Sequence, residues 1–143
     1  MGVCLTSRKS AYSFDMGYGG FHNLRTNICR AFDEELAEIY DDTMFMLKDP
    51  EGYTAKINEI LKDSRFKDED EDILDFLFSS DCEGKCGYVT AKKIYNLIKD
   101  IDFGKAIFTY AAHSDGNDYE KRELLRLIEV GASCFAHQCI TPQ

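Results

Sequence analysis

The amino-acid sequence predicts a mainly α, compact single-domain bundle of about five or six helices, with a minor β element formed by N- and C-terminal segments. The chain has 143 residues, of which 44% are hydrophobic and 13% aromatic, enough material for one buried core. Apolar side chains recur every three or four residues in several stretches. We therefore expect one domain over 1–143, with an extended segment over 1–20 and a helical body over 22–137.

The first elements are an extended segment and a long helix. Between Tyr12 and Tyr18, aromatic or apolar residues alternate with small or polar ones, which is the period of a half-buried strand. From about His22 to Tyr40 the apolar residues fall at helical spacing. This stretch predicts the longest helix of the chain.

The middle of the chain predicts three further helices. Asp49 precedes Pro50, a pair that begins a helix because aspartate caps free amides and proline needs no donor at the first position. Five acidic residues over 68–72 lie at the positive end of the next helix, whose apolar side comes from residues 73–78. Thr90 is expected to cap a fourth helix.

The last third of the chain predicts two helices and a strand. A short helix is expected around 103–110, and a polar turn over 114–118 leads into a last helix with apolar residues from Leu124 to Phe135. The tail after His137 is expected to form a short strand that pairs with the N-terminal one.

The net charge of -9 is concentrated in one part of the chain. Residues 33–75 contain sixteen carboxylates and five basic side chains, whereas the residues before them are net positive. Nucleic acids and anionic membranes attract basic surfaces, so the acidity argues against direct general nucleic-acid binding and against membrane association. The natural electrostatic partner is a basic protein surface. An acidic helix face that is simply solvated is the alternative.

The densest acidic segment is the predicted partner-binding site. It consists of Asp68, Glu69, Asp70, Glu71 and Asp72. The alternative is structural, because carboxylates at the start of a helix complement its dipole.

The six cysteines are expected to be reduced thiols. The N-terminal residues lack the apolar stretch of a secretory signal peptide, and no run approaches the roughly 20 apolar residues that cross a bilayer. The expected location is therefore the cytoplasm, where disulfide bonds are rare.

A loop over 80–84 has part of the pattern of a calcium site. Two of its acids lie at ligand spacing, but the donors expected at the first and last loop positions are missing. A structural glycine turn is therefore favoured. The candidate metal ligands near this loop are Asp81, Cys82, Glu83 and Cys86.

A zinc site would combine soft ligands from two distant parts of the chain. These ligands are Cys82, Cys86, Cys134, His137 and Cys139. Their spacing lacks the tight paired pattern of structural zinc sites, so no metal and no other cofactor is predicted. A metal- or redox-responsive cysteine module is the alternative function.

No arrangement of residues predicts catalysis. The chain lacks a Walker loop, a dinucleotide fingerprint and an HExxH motif, and no sequence context ties its three histidines to a nucleophile. We therefore expect a non-enzymatic protein, with an unrecognised enzyme as the alternative.

The most suggestive ligand-binding stretch lies where the extended segment meets the first helix. Its residues are Tyr18, Gly19, Gly20, Phe21 and Arg25. Glycines at a helix start let a ligand approach free amides, arginine binds phosphate or carboxylate, and the aromatic rings stack on a base. This pattern predicts a small anionic nucleotide as ligand. In the alternative, the glycines only turn a strand into a helix and the arginine pairs with a nearby acid.

The stretch from Tyr18 to Arg25 and the loop from Ser80 to Gly84, followed by the helix through Ile94, resemble an uncharacterised family of small bacterial and phage-borne proteins. The resemblance covers about two thirds of the chain, although relatives often carry histidine where this chain has serine at 79. It implies a bacterial cytoplasm, or that of an infected bacterial host.

Together these observations predict an acidic binding protein, encoded by a phage or mobile element, that inhibits a host defence process. It would act through its acidic surface or by sequestering a small nucleotide. Homo-oligomerisation is compatible with the second mode, because such ligands often bind between subunits.

Overall fold

The computed structural model describes residues 2–7, 11–79, 83–104, 118–131 and 134–138. Over these ranges the protein is mainly helical, with one small antiparallel sheet, as the sequence predicts. The short helix expected around 103–110 falls largely outside the described residues.

Seven α-helices occur in the described ranges, and a 3-10 turn over Asp68–Asp70 precedes the fifth. The helices are α1 (Tyr18–Phe32), α2 (Glu34–Tyr40), α3 (Thr43–Lys48), α4 (Pro50–Leu61), α5 (Glu71–Phe78), α6 (Tyr88–Ile98) and α7 (Asp118–Gly131). The number exceeds the predicted five or six because one expected helix is divided and the sequence pattern does not predict α3.

The single long helix expected from His22 to Tyr40 is wrong, because the chain breaks at Asp33. This residue is extended, with φ -159° and ψ 122°, and its carboxylate accepts a hydrogen bond from the Leu36 amide at 2.8 Å. An aspartate that caps a new helix competes with continuation of the old one. The break turns α2 away from α1 and lets the two helices pack side by side.

Two other predicted helix starts have different outcomes. Asp49 caps α4 by accepting from the Gly52 amide at 3.0 Å, as expected. Thr90 does not cap α6, which begins at Tyr88 after Gly87. The Thr90 hydroxyl instead donates to Asp72 at 2.6 Å, so a tertiary hydrogen bond replaces the predicted local one.

Four short strands form an antiparallel sheet in the order β2-β1-β4-β3. They are β1 (Val3–Thr6), β2 (Ser13–Met16), β3 (Glu83–Cys86) and β4 (Cys134–Gln138). The predicted pairing of N- and C-terminal segments is confirmed, since Leu5 lies opposite Ala136. The expected position of the C-terminal strand, after His137, is wrong, because β4 begins at Cys134.

The sheet also corrects two assignments. Glu83 and Gly84, expected in a glycine turn, belong to the edge strand β3. Phe135, expected on the last helix, lies in β4 opposite Thr6, because α7 ends at Gly131. Both changes follow from pairing between distant segments, which local spacing does not reveal.

The core lies between the sheet and the helices. Its fully buried side chains come from β1, from α1, α2 and α5, and from α6 and α7. The largest are Phe21, Phe76, Leu5, Leu24, Ile28, Leu36, Leu77, Ile94, Ile98, Leu124, Leu127 and Val3. Because α1 contacts α2, α5, α6 and α7, it is the central helix of the fold.

A buried asparagine on α1 fixes the segment after α6. Asn27 Nδ2 donates to the carbonyls of Asn23 and Gly104, both at 2.8 Å. Its Oδ1 accepts from the Gly104 amide at 2.8 Å and from Arg30 Nη1 at 3.0 Å. The side chain thereby satisfies both backbone groups of Gly104.

Candidate functional site

A cavity of about 390 Å³ lies beside the first two turns of α1. Three of the five predicted ligand-binding residues, Tyr18, Phe21 and Arg25, line it. Among the described residues, the lining consists of Tyr18, Phe21, His22, Arg25, Tyr40, Thr43, Met46, Tyr53, Leu77, Phe78 and Ser79. We call this cavity the α1 pocket.

The lining residues of α1 share one helix face. They occur at positions 18, 21, 22 and 25, a spacing of three and four residues that stacks side chains above one another. The opposite walls come from α2, α3, α4 and the C-terminal end of α5. The break at Asp33 positions Tyr40 in the wall, because it directs α2 back along α1.

Gly19 and Gly20 do not line this pocket. They lie in the first turn of α1, whose N-cap is Gly17, so the turn from strand to helix occurs before them. A Cβ on Gly20 would lie 3.0 Å from Oε1 of Glu120. Gly20 therefore permits close packing of α7 against α1.

The buried carboxylate of Glu120 lies at the positive end of α1. Negative charge is stabilised there by the helix dipole. The protein thus places a carboxyl group of its own where the sequence suggested a ligand anion. In this structure the α1 pocket, one turn further along the helix, is the better location for a ligand.

Arg25 is held in place by backbone carbonyls. Its Nη1 donates to the carbonyl of Ser79 at 2.6 Å and approaches that of Phe76 at 3.4 Å. The guanidinium carbon lies 4.4 Å from the centre of the Phe21 ring, a cation–π contact. Among the described residues no carboxylate pairs with Arg25, contrary to the alternative considered for this side chain.

Two polar atoms of the pocket residues are buried without a hydrogen-bond partner in the described structure. They are Nε of Arg25 and Oγ1 of Thr43, a residue that is 4% exposed. Buried polar groups are almost always paired, and leaving one unpaired costs about 1–3 kcal/mol. Two such atoms from different elements around one cavity indicate a place for a polar ligand.

A histidine and an aspartate form a pair at the same cavity. Nε2 of His22 lies 3.0 Å from Oδ1 of Asp41, and the His22 ring stacks on Tyr40 with 5.4 Å between centres. Since a carboxylate only accepts, Nε2 carries the proton. The histidine therefore enters the pocket in a fixed orientation.

Two phenol hydroxyls brace the pocket walls. Tyr40 donates to the carbonyl of Leu77 at 3.0 Å, and Tyr53 donates to the carbonyl of Tyr40 at 3.2 Å. Burial raises the pKa of Tyr53 to about 12, with further increases from Cys29, Asp42 and Asp41 and a decrease from Arg25. Tyr53 is therefore a neutral hydrogen-bond donor across the physiological pH range.

Sequence reasoning missed His22, Tyr40, Thr43 and Tyr53. His22 was detectable, because it follows Tyr18 by four residues and so shares its helix face. The other three lie on α2, α3 and α4, and only the tertiary packing of these helices brings them to the pocket.

In the predicted partner-binding segment, 68–72, two carboxylates form contacts within the protein and the other three are exposed to solvent. Oδ2 of Asp70 accepts from the Lys67 amide at 3.3 Å, and Asp72 pairs with Lys93 at 3.2 Å. Partial burial tends to raise the pKa of Asp72, but hydrogen bonds from Thr90 and Lys93 outweigh it and lower the pKa. Part of the predicted surface thus stabilises the contact between α5 and α6.

Three carboxylates of that segment, Asp68, Glu69 and Glu71, are exposed to solvent. None forms an ion pair with a described residue. These three remain accessible to a partner.

The candidate metal ligands are only partly described. Asp81, Cys82 and Cys139 lie outside the described residues, whereas Glu83 begins β3. Cys86 is a buried cysteine outside any disulfide bond, 3% exposed, and lies opposite Cys134 in the sheet. Within the described residues no group of three or more metal-ligating side chains is found.

The cysteines differ in state. Cys29 is a free buried thiol, and burial raises its pKa to about 12, with a further increase from Asp33 and a decrease from Arg30. Cys4 is disulfide-bonded, which contradicts the expectation that all six thiols are reduced. The wrong expectation came from the N-terminal sequence alone, which carries no information on which cysteines meet in the fold.

Comparisons of the chain with protein-family models, with curated proteins and with solved structures found no match. Among the residues described, no helix combines the length and apolar character that crossing a bilayer requires.

Proposed function

We propose that this protein is a non-enzymatic binding protein that holds a small anionic nucleotide in the α1 pocket. The observation that carries the proposal is the pair of unpartnered polar atoms, Arg25 Nε and Thr43 Oγ1, on residues that line an aromatic cavity of the described structure. A bound oxyanion would satisfy an arginine donor, and a flat base would contact the rings.

The arginine supports anion binding because much of its orientation is already determined. Nη1 is engaged by Ser79, and the guanidinium face contacts Phe21. Little side-chain entropy is then lost when a ligand binds. The edge formed by Nε and Nη2 matches two oxygens of one phosphate, and its Nε has no partner among the described residues.

The aromatic character of the pocket supports a planar ligand. Tyr18 is 37% exposed and Phe78 is 40% exposed, and both line the pocket. Partly exposed rings at a cavity can stack on a base, which contributes about 1–3 kcal/mol for each base. A volume of about 390 Å³ falls within the range of about 300–1,000 Å³ that is usual for small-molecule sites.

The biological role that we propose is sequestration. A protein that binds a nucleotide without converting it lowers its free concentration. The resemblance to bacterial and phage-borne proteins supports a role as an inhibitor of a host defence process that depends on such a nucleotide, in the bacterial cytoplasm.

Replacing Arg25 with alanine is expected to weaken nucleotide binding by about 10- to 100-fold, the contribution of a hydrogen bond to a charged group. The measurement is isothermal titration calorimetry with the nucleotide that most raises the melting temperature in a panel of mono- and cyclic nucleotides. A ligand at about 100 times its Kd stabilises the folded state by about 2.7 kcal/mol, which a thermal shift detects.

The matched control is Arg126→Ala. Arg126 is an exposed arginine that also contacts an aromatic ring, with 5.0 Å to the Tyr12 centre, but it does not line the α1 pocket. Its replacement should leave affinity unchanged. If no nucleotide stabilises the wild-type protein, or both variants bind like wild type, the proposal is wrong.

A second candidate function is binding of a basic protein through Asp68, Glu69 and Glu71. It is favoured by the exposure of these carboxylates and by the absence of ion pairs to described residues. Exposed charges act over about 8–10 Å at physiological salt, so such binding should be salt-sensitive.

Neutralising these three carboxylates in a triple variant, D68N, E69Q and E71Q, is expected to reduce capture of basic proteins from a bacterial lysate severalfold at low salt. Quantitative mass spectrometry of the retained proteins measures the change. A control triple variant, E34Q, E51Q and E59Q, removes the same charge from exposed positions elsewhere. Equal retention by the two variants would count against this second function.

A further inference from the structure

We infer that the α1 pocket selects nucleotides with a single phosphate of low charge, such as a cyclic or simple monophosphate, and discriminates against di- and triphosphates. The inference rests on the proposed function and adds the charge class of the ligand. It follows from the charges around the pocket.

Within the described structure, the pocket has one cation whose charge is not compensated by a neighbouring carboxylate. The side chains in its lining that can be cationic are Arg25 and His22. His22 lies 3.0 Å from Asp41, so any positive charge on the ring is cancelled locally. Arg25 contacts backbone carbonyls and Phe21, and therefore keeps its charge for a ligand.

Carboxylates lie close to the pocket on its α3 side. Asp42 immediately precedes Thr43, and its Oδ1 accepts from the Phe45 amide at 3.0 Å, which holds the carboxylate at the start of α3. The field of Asp42 and Asp41 reaches Tyr53 in the wall, where both raise the pKa of the phenol. These carboxylates would repel a second or third phosphate, because no further uncompensated cation lines the pocket among the described residues.

The hydrogen-bond geometry also fits one phosphate. An arginine edge of Nε and Nη2 matches two oxygens of a single phosphoryl group. Nε of Arg25 and Oγ1 of Thr43 have no partner in the described structure, so each would add one contact to that group. Sites for triphosphates supply several backbone amides and a lysine or a metal ion. Among the described lining residues no lysine occurs, and the volume of about 390 Å³ is near the lower end for ligand sites.

The test is a titration series on one base, with the cyclic monophosphate, the 5′-monophosphate, the diphosphate and the triphosphate, at fixed ionic strength and with a chelator present. We expect Kd to rise by roughly threefold to tenfold for each added negative charge, as expected for like charges within about 8–10 Å at an intermediate effective dielectric. A triphosphate that binds as tightly as the monophosphate overturns the inference.

A charge variant separates this inference from the proposed function. Asp42→Asn retains a capping side chain at the start of α3 and removes one carboxylate. The ratio of the triphosphate Kd to the monophosphate Kd should fall severalfold in this variant. The control Asp100→Asn removes an exposed carboxylate after α6 that does not line the pocket, and it should leave the ratio unchanged.

The outcomes of the two proposals differ. If the triphosphate binds best and Arg25→Ala abolishes its binding, the proposed function stands and the charge selection is wrong. If no member of the series binds, the proposed function itself fails. An unchanged Kd ratio in Asp42→Asn contradicts the assignment of selection to the acidic side of the pocket.

Discussion

Replacing Phe21 with alanine is expected to lower the free energy of unfolding by about 3–5 kcal/mol, the usual loss for a fully buried phenylalanine. Phe21 is 1% exposed, lies on the central helix α1 and supports the Arg25 guanidinium at 4.4 Å. Urea denaturation followed by circular dichroism measures the change. Because the ring forms both core and pocket wall, nucleotide affinity should fall in the same variant.

Two further variants test whether the loss of stability in Phe21→Ala comes from the burial of this ring. Phe21→Leu keeps most of the buried volume and should cost less than about 1.5 kcal/mol. Phe78→Ala removes an aromatic ring from the same pocket, but that residue is 40% exposed, so the loss of stability should be smaller while ligand stacking is reduced. Similar losses of stability for Phe21→Ala and Phe78→Ala would contradict the packing described for α1.

Replacing Asn27 with alanine is expected to cost about 2–4 kcal/mol, because two partly buried backbone groups of Gly104 lose their partner. The cost combines a lost hydrogen-bond network with desolvated groups that stay unpaired. Denaturant unfolding gives the total loss, and hydrogen exchange at the Gly104 amide locates it.

Asn58→Ala is the control for this substitution, since Asn58 is an exposed residue on α4. It should change stability by less than about 0.5 kcal/mol. If Gly104 keeps its exchange protection in Asn27→Ala, then the side chain does not hold this segment and the prediction is wrong.

The helical character of the protein could be predicted because its helices bury periodic apolar residues. Leu24 and Ile28, for example, are fully buried on α1. Helix ends were less predictable, because competing side-chain hydrogen bonds decide them. Asp33 caps a new helix by accepting a hydrogen bond from the Leu36 amide, whereas Thr90 donates to Asp72 instead of capping α6. The tertiary structure determines which of these hydrogen bonds forms.

The pocket was predictable only on its α1 side. Tyr18, Phe21 and Arg25 lie close together in the sequence, so their shared helix face follows from spacing alone. Thr43 is brought to the same cavity by α3, a six-residue helix with too short a pattern to be recognised in the sequence. The proposed ligand preference depends on that second side, where the acids lie.

The β assignments failed where pairing is distant. Phe135 continues the apolar spacing of α7, yet its backbone pairs with Thr6 at the other end of the chain. Residues 83–86 contain glycine, glutamate and lysine, which are poor strand formers. They are extended because their backbone pairs with β4. Strand propensity alone predicts neither the pairing of β4 with β1 nor its pairing with β3.

The strand order β2-β1-β4-β3 has a consequence for how the chain folds as it leaves the ribosome. The hairpin of β1 and β2 can form early, but the other edge of β1 must wait for β4, since Val3 pairs with Gln138. Until then the nascent protein exposes unpaired backbone donors and acceptors on a strand with buried apolar side chains. Closure of the sheet must therefore wait until β4 has been synthesised, and the interval before it is the period in which a chaperone would protect this protein from aggregation.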